Sequence, residues 1–396
     1  MVTLKERVHY VGVNDRAKTL FEGLWPLPYG VTYNSYLIAD EKVALIDTVD
    51  VNFFDLFIEK IKEVIGERPI DYLVINHMEP DHSGSIRLLR KFYPNITLVS
   101  NKKALEMVGG FYGEEANTKT IAEGDVLELG HHNLKFHMIP MVHWPETMVS
   151  FDTTDGILFS GDAFGCFGAM NGTPLDYMMD TELYWHEMVR YYSNIVGKYG
   201  APVQKALQKL GGLDIKMICA THGPVWTASN IEKVIRLYDR LSRYDSEEGV
   251  VIAYGSMYGN TQQMAETIAE ELALQGIRKV VLHDVSRTNH SFILADLFRY
   301  KGIILGAPTY NASIYPPMEM LMSEIEMRDM KDRYLGYFGS FSWASHAVKR
   351  LAAFSEKVNF ETVGCPVEMK QGMKSATCTA CRELARSMAE RLKNDC

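Results

Sequence analysis

Four side chains of metal-binding type, His77, Glu79, Asp81 and His82, fall within six positions of the segment NHMEPDHSGS (76–85), directly after the apolar run Tyr72-Leu73-Val74-Ile75. The run reads as a buried strand and the segment as the turn leaving it, with Ser-Gly-Ser placed to cap a helix beginning near Ile86. Three later residues also stand just past an apolar run: His143 in MVHWPE, Asp162 in LFSGDAF and His222 in CATHGP. Singly, each is explained as a loop histidine or a turn aspartate. Together they require a fold that brings several strand ends to one edge, and they read as a two-metal site.

The composition of that set narrows the metal. Four imidazoles and the carboxylates of Glu79, Asp81 and Asp162 set three negative charges against the four positive ones of two divalent ions. Mixed nitrogen and oxygen ligation of this kind suits iron or manganese, with zinc admitted on affinity order alone. Iron is the favoured reading.

At 396 residues the chain exceeds what one hydrophobic core usually organises, so two domains are expected. In the first, YNSYLIADEKVALIDTVD (33–50) reads as two short strands around the turn Asp40-Glu41-Lys42. Phe54, Phe57, Ile58, Ile61 and Ile65 then recur at helical spacing. DYLVIN, NITLVS, LKFHMI and GILFSGD follow as strands of a layered α/β or α+β domain. After the charged run RYDSEEG the pattern restarts with Val250-Val251-Ile252-Ala253, which places the boundary between domains 1–248 and 249–396. Beyond it VVIAY, KVVLHDV, GIILGA and YLGYFGS alternate with helical stretches, the order of a doubly wound parallel sheet.

A second constellation lies at the expected strand ends of that sheet. GSMYGNT (255–261) sits between a strand and a helix, where backbone amides and hydroxyls make an anion site. It lacks the GxxxxGK[ST] pattern, and no lysine in the turn meets a triphosphate, so a monophosphate fits better. APTYNAS (307–313) and GSFSWAS (339–345) each place an aromatic, Tyr310 or Trp343, among small polar residues. Three such loops match the flavodoxin layout, one for the FMN phosphate and two bordering the flavin ring.

Other features mainly exclude. A formal charge of −9, with no concentrated run of Lys and Arg, argues against nucleic acid as the main partner. No apolar run approaches the ~20 residues of a membrane span. The N-terminus lacks the pattern of a secretory signal, so cytoplasmic residence is expected. Cys166, Cys219, Cys365, Cys378, Cys381 and Cys396 are too scattered for a disulfide framework and read as reduced thiols. Cys378-Thr-Ala-Cys381, on a helical stretch, reads as an incidental pair.

The spacing HxExDH followed by His143, Asp162 and His222 is the pattern of the metallo-β-lactamase superfamily, with Glu79 where its zinc hydrolases usually carry histidine. Joined to a flavodoxin-like half, the whole chain resembles the flavodiiron proteins. The resemblance implies an αββα sandwich followed by a flavodoxin-like sheet, and a reductase of dioxygen or nitric oxide carrying FMN and two irons per chain. His77, Glu79 and His143 would hold one iron, Asp81, His82 and His222 the other, with Asp162 bridging. FMN would contact Ser256, Met257, Tyr258, Gly259, Asn260 and Thr261 in the first loop, Pro308, Thr309, Tyr310 and Asn311 in the second, and Ser340, Trp343 and Ala344 in the third. Tyr29 in PYGVTYNSY stands where many relatives have a histidine near the diiron pocket. The chain ends without a rubredoxin-like extension, so the resemblance implies a separate rubredoxin-type donor. It also implies a head-to-tail homodimer, or a dimer of dimers, with Trp343 near the junction of flavin and irons. The rival from another class is a zinc hydrolase with an appended flavodoxin domain.

Overall fold

The computed structural model of the chain describes residues 2–113 and 115–395, so Cys396 lies outside the described residues. Two compact units divide it: Met1–Tyr191 with Ala201–Asp239, and Tyr192–Gly200 with Arg240–Cys396. The second unit thus takes in 192–200 and 240–248 besides the expected 249–396. A helix, Ser229–Ser242, carries the chain from one unit to the other.

The first unit is built on two sheets. One runs in the order Val2–Lys5, Val8–Tyr10, Tyr36–Ala39, Val43–Ile46, Tyr72–Val74, Thr97–Ser100, Thr118–Thr120. Its pairing is antiparallel up to Val43–Ile46 and parallel beyond. The other comprises Val126–Glu128, Asn133–Met138, Met148–Asp152, Ile157–Gly161, Met217–Ala220 and Trp226–Thr227. Val8, Tyr36, Ile38 and Val74 of the first sheet share one core with Leu134, Phe136, Ile157 and Phe159 of the second. The helix Phe54–Ile65 buries Phe54, Phe57, Ile58, Ile61 and Ile65, the set its periodicity predicts, each worth roughly 1.5–3 kcal/mol of apolar burial. Two short antiparallel pairs, Val13–Asp15 with Val31–Tyr33 and Leu20–Phe21 with Trp25–Pro26, lie outside the main sheets and were not legible as strands.

The second unit holds a parallel sheet in the order Val280–Asp284, Glu247–Tyr254, Tyr300–Tyr310, Tyr334–Phe341, Glu361–Thr362. The first strand in sequence is second in space, so the strand order reverses beside Glu247–Tyr254, and the crevice at such a point is where ligands bind in open α/β sheets. Met264, Ile268 and Leu272 from the helix Asn260–Leu274 pack with Leu384, Met388 and Leu392 from the helix Ser375–Lys393 against one face. Arg333, 1% exposed, ties this unit internally by donating to the carbonyls of Leu297, Phe298 and Tyr244. No helix among the described residues is long and apolar enough to cross a membrane.

Candidate metal centre and flavin loops

The strand Tyr72–Val74 delivers Asn76 and His77 to the edge of the first sheet. Asp47, at the matching end of the neighbouring strand, accepts from the Asn76 amide at 2.7 Å and from its side chain at 3.1 Å, which fixes the chain where it leaves the sheet. A short helical turn, Pro80–Ser83, follows and precedes the helix Ile86–Phe92. The expected serine cap is not made: Ser85 Oγ donates to the Val49 carbonyl at 2.7 Å, and Ser83 Oγ donates to the Met78 carbonyl at 2.8 Å. These serines pin the turn rather than the helix. Its wind is what projects Glu79, Asp81 and His82 inward beside His77.

The second sheet supplies the other three residues, each from a loop past a strand end. All seven expected residues converge in two groups, His77, Glu79, His143 and Asp162 in one and Asp81, His82 and His222 in the other. Asp162 faces both. Its Oδ2 lies 3.1 Å from His143 Nε2 and 3.4 Å from His77 Nε2, while its Oδ1 lies 3.1 Å from His82 Nε2 and 3.8 Å from His222 Nε2. Glu79 Oε2 closes the first group, 3.2 Å from His143 Nε2 and 3.4 Å from His77 Nε2. Asp81 Oδ2 closes the second, 3.3 Å from Nε2 of both His82 and His222.

Partners behind the cluster set the ring orientations. His77 Nδ1 donates to Glu146 Oε1 at 2.9 Å, and His222 Nδ1 donates to the Thr32 carbonyl at 2.6 Å, so each ring turns its Nε2 lone pair toward the cluster. Thr221 Oγ1 donates to Asp162 Oδ1 at 2.5 Å. Neither Glu146 nor these two threonines stood out in the sequence. Glu146 was within reach as an acid three residues after His143, whereas no local pattern marks Thr32 or Thr221. Among the described residues His82 Nδ1 is buried without a hydrogen-bond partner, so no acceptor orients its ring as Glu146 orients His77.

The donor set fits divalent metal ions. Among the described residues neither Asp81 oxygen, both buried, has a hydrogen-bond partner, a costly arrangement unless a cation meets them. The Nε2 atoms of His82 and His222 stand 3.0 Å apart, lone-pair sites aimed at one point. Burial opposes protonation of His82, yet the Asp81 and Asp162 carboxylates outweigh it and push its pKa up to about 9. Burial likewise opposes protonation of His143, while its bonds to Asp162 and Glu79 push it up to about 9. Burial works against ionisation of Asp162, but the surrounding histidines hold it well below the usual carboxylate range. The cluster attracts positive charge.

Tyr29 is 49% exposed, and its backbone carbonyl accepts from the Ala169 amide at 2.8 Å. From this N-terminal region Phe21 and Tyr33 set their rings against His222, while Glu22, exposed in the turn of the hairpin Leu20–Pro26, takes φ +50° and accepts at Oε2 from Trp25 Nε1 at 3.1 Å.

In the second unit the three expected loops meet at the carboxyl edge of the parallel sheet. Gly259 takes φ +87° ahead of the helix Asn260–Leu274, a conformation that favours glycine, and no side chain caps that helix. Its free amide end suits a phosphate. Thr261 Oγ1 and Ser340 Oγ share a hydrogen bond at 2.8 Å, joining the first loop to the third. Thr309 Oγ1 accepts from the amides of His346 and Ala347 at 3.0 and 3.1 Å, joining the second to the third. Thr261, Ser340 and Thr309 thus brace the loops, while Met257, Tyr258, Tyr310 and Trp343 stand exposed, Tyr258 and Trp343 at 90%. Asn311 occupies a left-handed turn, Pro308 is buried within the strand Tyr300–Tyr310 in register with Ser340, and Ala344 is half-buried. Exposed aromatic faces around an uncapped helix end fit a flavin mononucleotide.

Comparison with known proteins agrees with both halves. Residues 31–223 match the family model described as ODP family beta lactamase, and residues 252–384 match that described as Flavodoxin. An anaerobic nitric oxide reductase flavorubredoxin of Vibrio vulnificus is 34% identical over 400 residues, covering 98% of this chain and 79% of that protein. The structure of rubredoxin oxygen:oxidoreductase from Desulfovibrio gigas superposes with a TM-score of 0.95 at 29% identity, covering 99% of this chain and 98% of that one. The flavodiiron protein from Giardia intestinalis superposes with a TM-score of 0.93 at 26% identity, covering 99% and 96%. On its paired metal-binding groups, its flavodoxin sheet and these full-length likenesses, the chain belongs to the flavodiiron proteins.

Proposed function

We propose that this chain is an oxidoreductase that reduces dioxygen to water, nitric oxide to nitrous oxide, or both, with electrons passed through FMN from a rubredoxin-type donor. The cofactors are FMN and two irons per chain. The observation that carries the reading is Asp162, whose two oxygens face the two halves of one cluster. His77, Glu79 and His143 would hold one iron and Asp81, His82 and His222 the other, with the Asp162 carboxylate facing both groups. When bound, two ferrous ions and reduced FMN supply the four electrons that dioxygen reduction consumes, and coupling two nitric oxides takes two.

The chain's own residues orient and shield. Glu146 keeps a proton on His77 Nδ1, and the Thr32 carbonyl keeps one on His222 Nδ1, which leaves both Nε2 atoms free to coordinate. Phe21 and Tyr191 pack around the His222 ring, and Phe167 packs on both, limiting water on that side. No side chain is required as a nucleophile. The exposed Trp343 and Tyr258 faces support a head-to-tail homodimer or dimer of dimers that brings the flavin of one copy to the irons of another. Residence in the cytoplasm follows the same reading.

The test is anaerobic consumption of dioxygen and of nitric oxide in parallel by the purified protein with a reduced rubredoxin, after its iron content is recorded. Faster loss of one gas assigns the activity to it. An iron-loaded protein that consumes neither overturns the reductase reading, and a zinc-loaded one with hydrolytic activity replaces it by the hydrolase.

A further inference from the structure

A third group of metal-binding type, His132, Asp152 and Asp155, lies outside the centre described above. It sits at the far ends of the same strands. Val43–Ile46 leaves the turn at Asp40 and reaches Asp47, and Ile157–Gly161 leaves the turn at Asp155 and reaches Asp162. His132 stands in the turn before the strand Asn133–Met138, so turns from both sheets meet here. His132, 1% exposed, is held as His77 is: its Nδ1 donates to Asp40 Oδ2 at 3.0 Å, against 2.9 Å from His77 Nδ1 to Glu146 Oε1. Such a partner keeps the proton on Nδ1 and leaves the Nε2 lone pair facing the other way. That Nε2 stands 3.4 Å from Asp155 Oδ2 and 4.0 Å from Asp152 Oδ2, longer than the ~2.7–3.2 Å of an ordinary N–H···O bond. Two ligand atoms, each about 2.1 Å from one tetrahedral ion, stand roughly 3.4 Å apart. His77 Nε2 and Glu79 Oε2 keep that same 3.4 Å in the first metal-binding group.

Charge points the same way. Asp40 is already paired with Arg7 at 3.0 Å, and among the described residues no lysine or arginine forms an ion pair with Asp152 or Asp155. Asp152 is 0% exposed and accepts only long bonds, from the Thr154 and Asp155 amides at 3.2 Å each. Two carboxylates at such a site are costly without a cation. We propose that His132, Asp152 and Asp155 form a separate site for one divalent cation, manganese or zinc, which pins the two sheets together at the edge away from the paired-metal centre. One such ion cancels both carboxylate charges, and the mixed nitrogen and oxygen donors suit either metal. The Asp155 side chain, 21% exposed, opens the site to ions from solvent, while Asp40 orients His132 from behind.

The test titrates manganese(II) into the oxidised full chain with its iron and FMN in place, following bound manganese by electron paramagnetic resonance and iron content on the same samples. The wild type should bind one equivalent beyond its iron, with hyperfine coupling to one imidazole nitrogen, and its melting temperature should rise with manganese. Loss of a residue that merely orients a ligand lowers metal affinity ~10–100-fold, so Asp155→Asn, which removes a ligand charge at the solvent side, should weaken manganese by more than ~10-fold. Its iron content and gas reduction should stay at the wild-type level. His132→Gln should abolish the nitrogen coupling, and unchanged iron content in that variant shows that the fold is intact. No manganese bound beyond the iron would overturn the proposal and assign the cluster to ion pairs around a protonated His132. So would uptake matched by loss of iron, binding without nitrogen coupling, or equal binding by the wild type and Asp155→Asn.

Discussion

Glu146 Oε1 accepts two hydrogen bonds, one from His77 Nδ1 at 2.9 Å and one from the Met78 amide at 3.0 Å, so a single carboxylate from the second sheet sets both the ring and the backbone of the first metal-binding residue. A carboxylate placed this way fixes the imidazole tautomer and raises the basicity of the coordinating nitrogen. Glu146→Ala should lower affinity for one iron ~10–100-fold, and Glu146→Gln should fall between it and wild type. Iron(II) retention against a graded chelator series measures this, and equal retention in all three proteins counts against an orienting role.

Asp162 touches both halves of the cluster, so its removal should cost more than an orienting partner does, beyond ~100-fold in gas reduction. Asp162→Ala is expected to lose iron and activity together. FMN content should stay at the wild-type level, because the flavin loops lie in the other unit. Metal analysis and flavin absorbance on the same preparation check both halves of the statement.

A pH effect separate from the metal centre arises at Asp40. Burial alone would raise its pKa, but the amide and imidazole of His132 and the Glu41 amide lower it from 3.8 to about 2. Arg7 Nη1 pairs with its other face at 3.0 Å. The depressed folded pKa means that the stabilisation is complete above the unfolded value near 3.8 and disappears as pH falls toward 2. Asp40→Asn should remove on the order of 1 kcal/mol at neutral pH, after allowance for screening, and flatten the decline in that acid window. Urea unfolding midpoints from pH 6 to pH 2 would show it, and parallel curves for the two proteins would exclude it.

Thr309 Oγ1 accepts from two amides at the start of the helix Ala347–Ser355, whose own cap residue, His346, supplies no side-chain bond. Thr309→Val keeps the shape and leaves both amides without that acceptor, which should cost ~1–3 kcal/mol. The third flavin loop should loosen with it, so weaker FMN retention on dilution is expected together with a lower melting temperature of the second unit. Unchanged flavin retention would show that the brace is dispensable.

Much of this was legible because local periodicity and burial agreed. The five buried residues of Phe54–Ile65 are those its spacing predicts, and the apolar runs before GSMYGNT, APTYNAS and GSFSWAS became neighbouring parallel strands. The seven metal-cluster residues were readable because each follows a strand. Thr32 and Thr221 were not, since their hydrogen bonds with His222 and Asp162 are tertiary contacts that no local pattern marks. Ser85 misled for a related reason: a serine before a helix suggests a cap, but a carbonyl from another segment competes for its hydroxyl.

Asn34 ties this centre to the closure of the two layers. Its side chain accepts from Tyr10 Oη and donates to the carbonyls of Ala220 and Gly223, clasping an N-terminal strand to the loop that carries His222. The donors come from both sheets, His77, Glu79, Asp81 and His82 from one and His143, Asp162 and His222 from the other. A partly synthesised chain therefore lacks the second histidine of the Asp81 group until the strand Met217–Ala220 has docked. Binding of both ions would therefore require that the two layers have already closed.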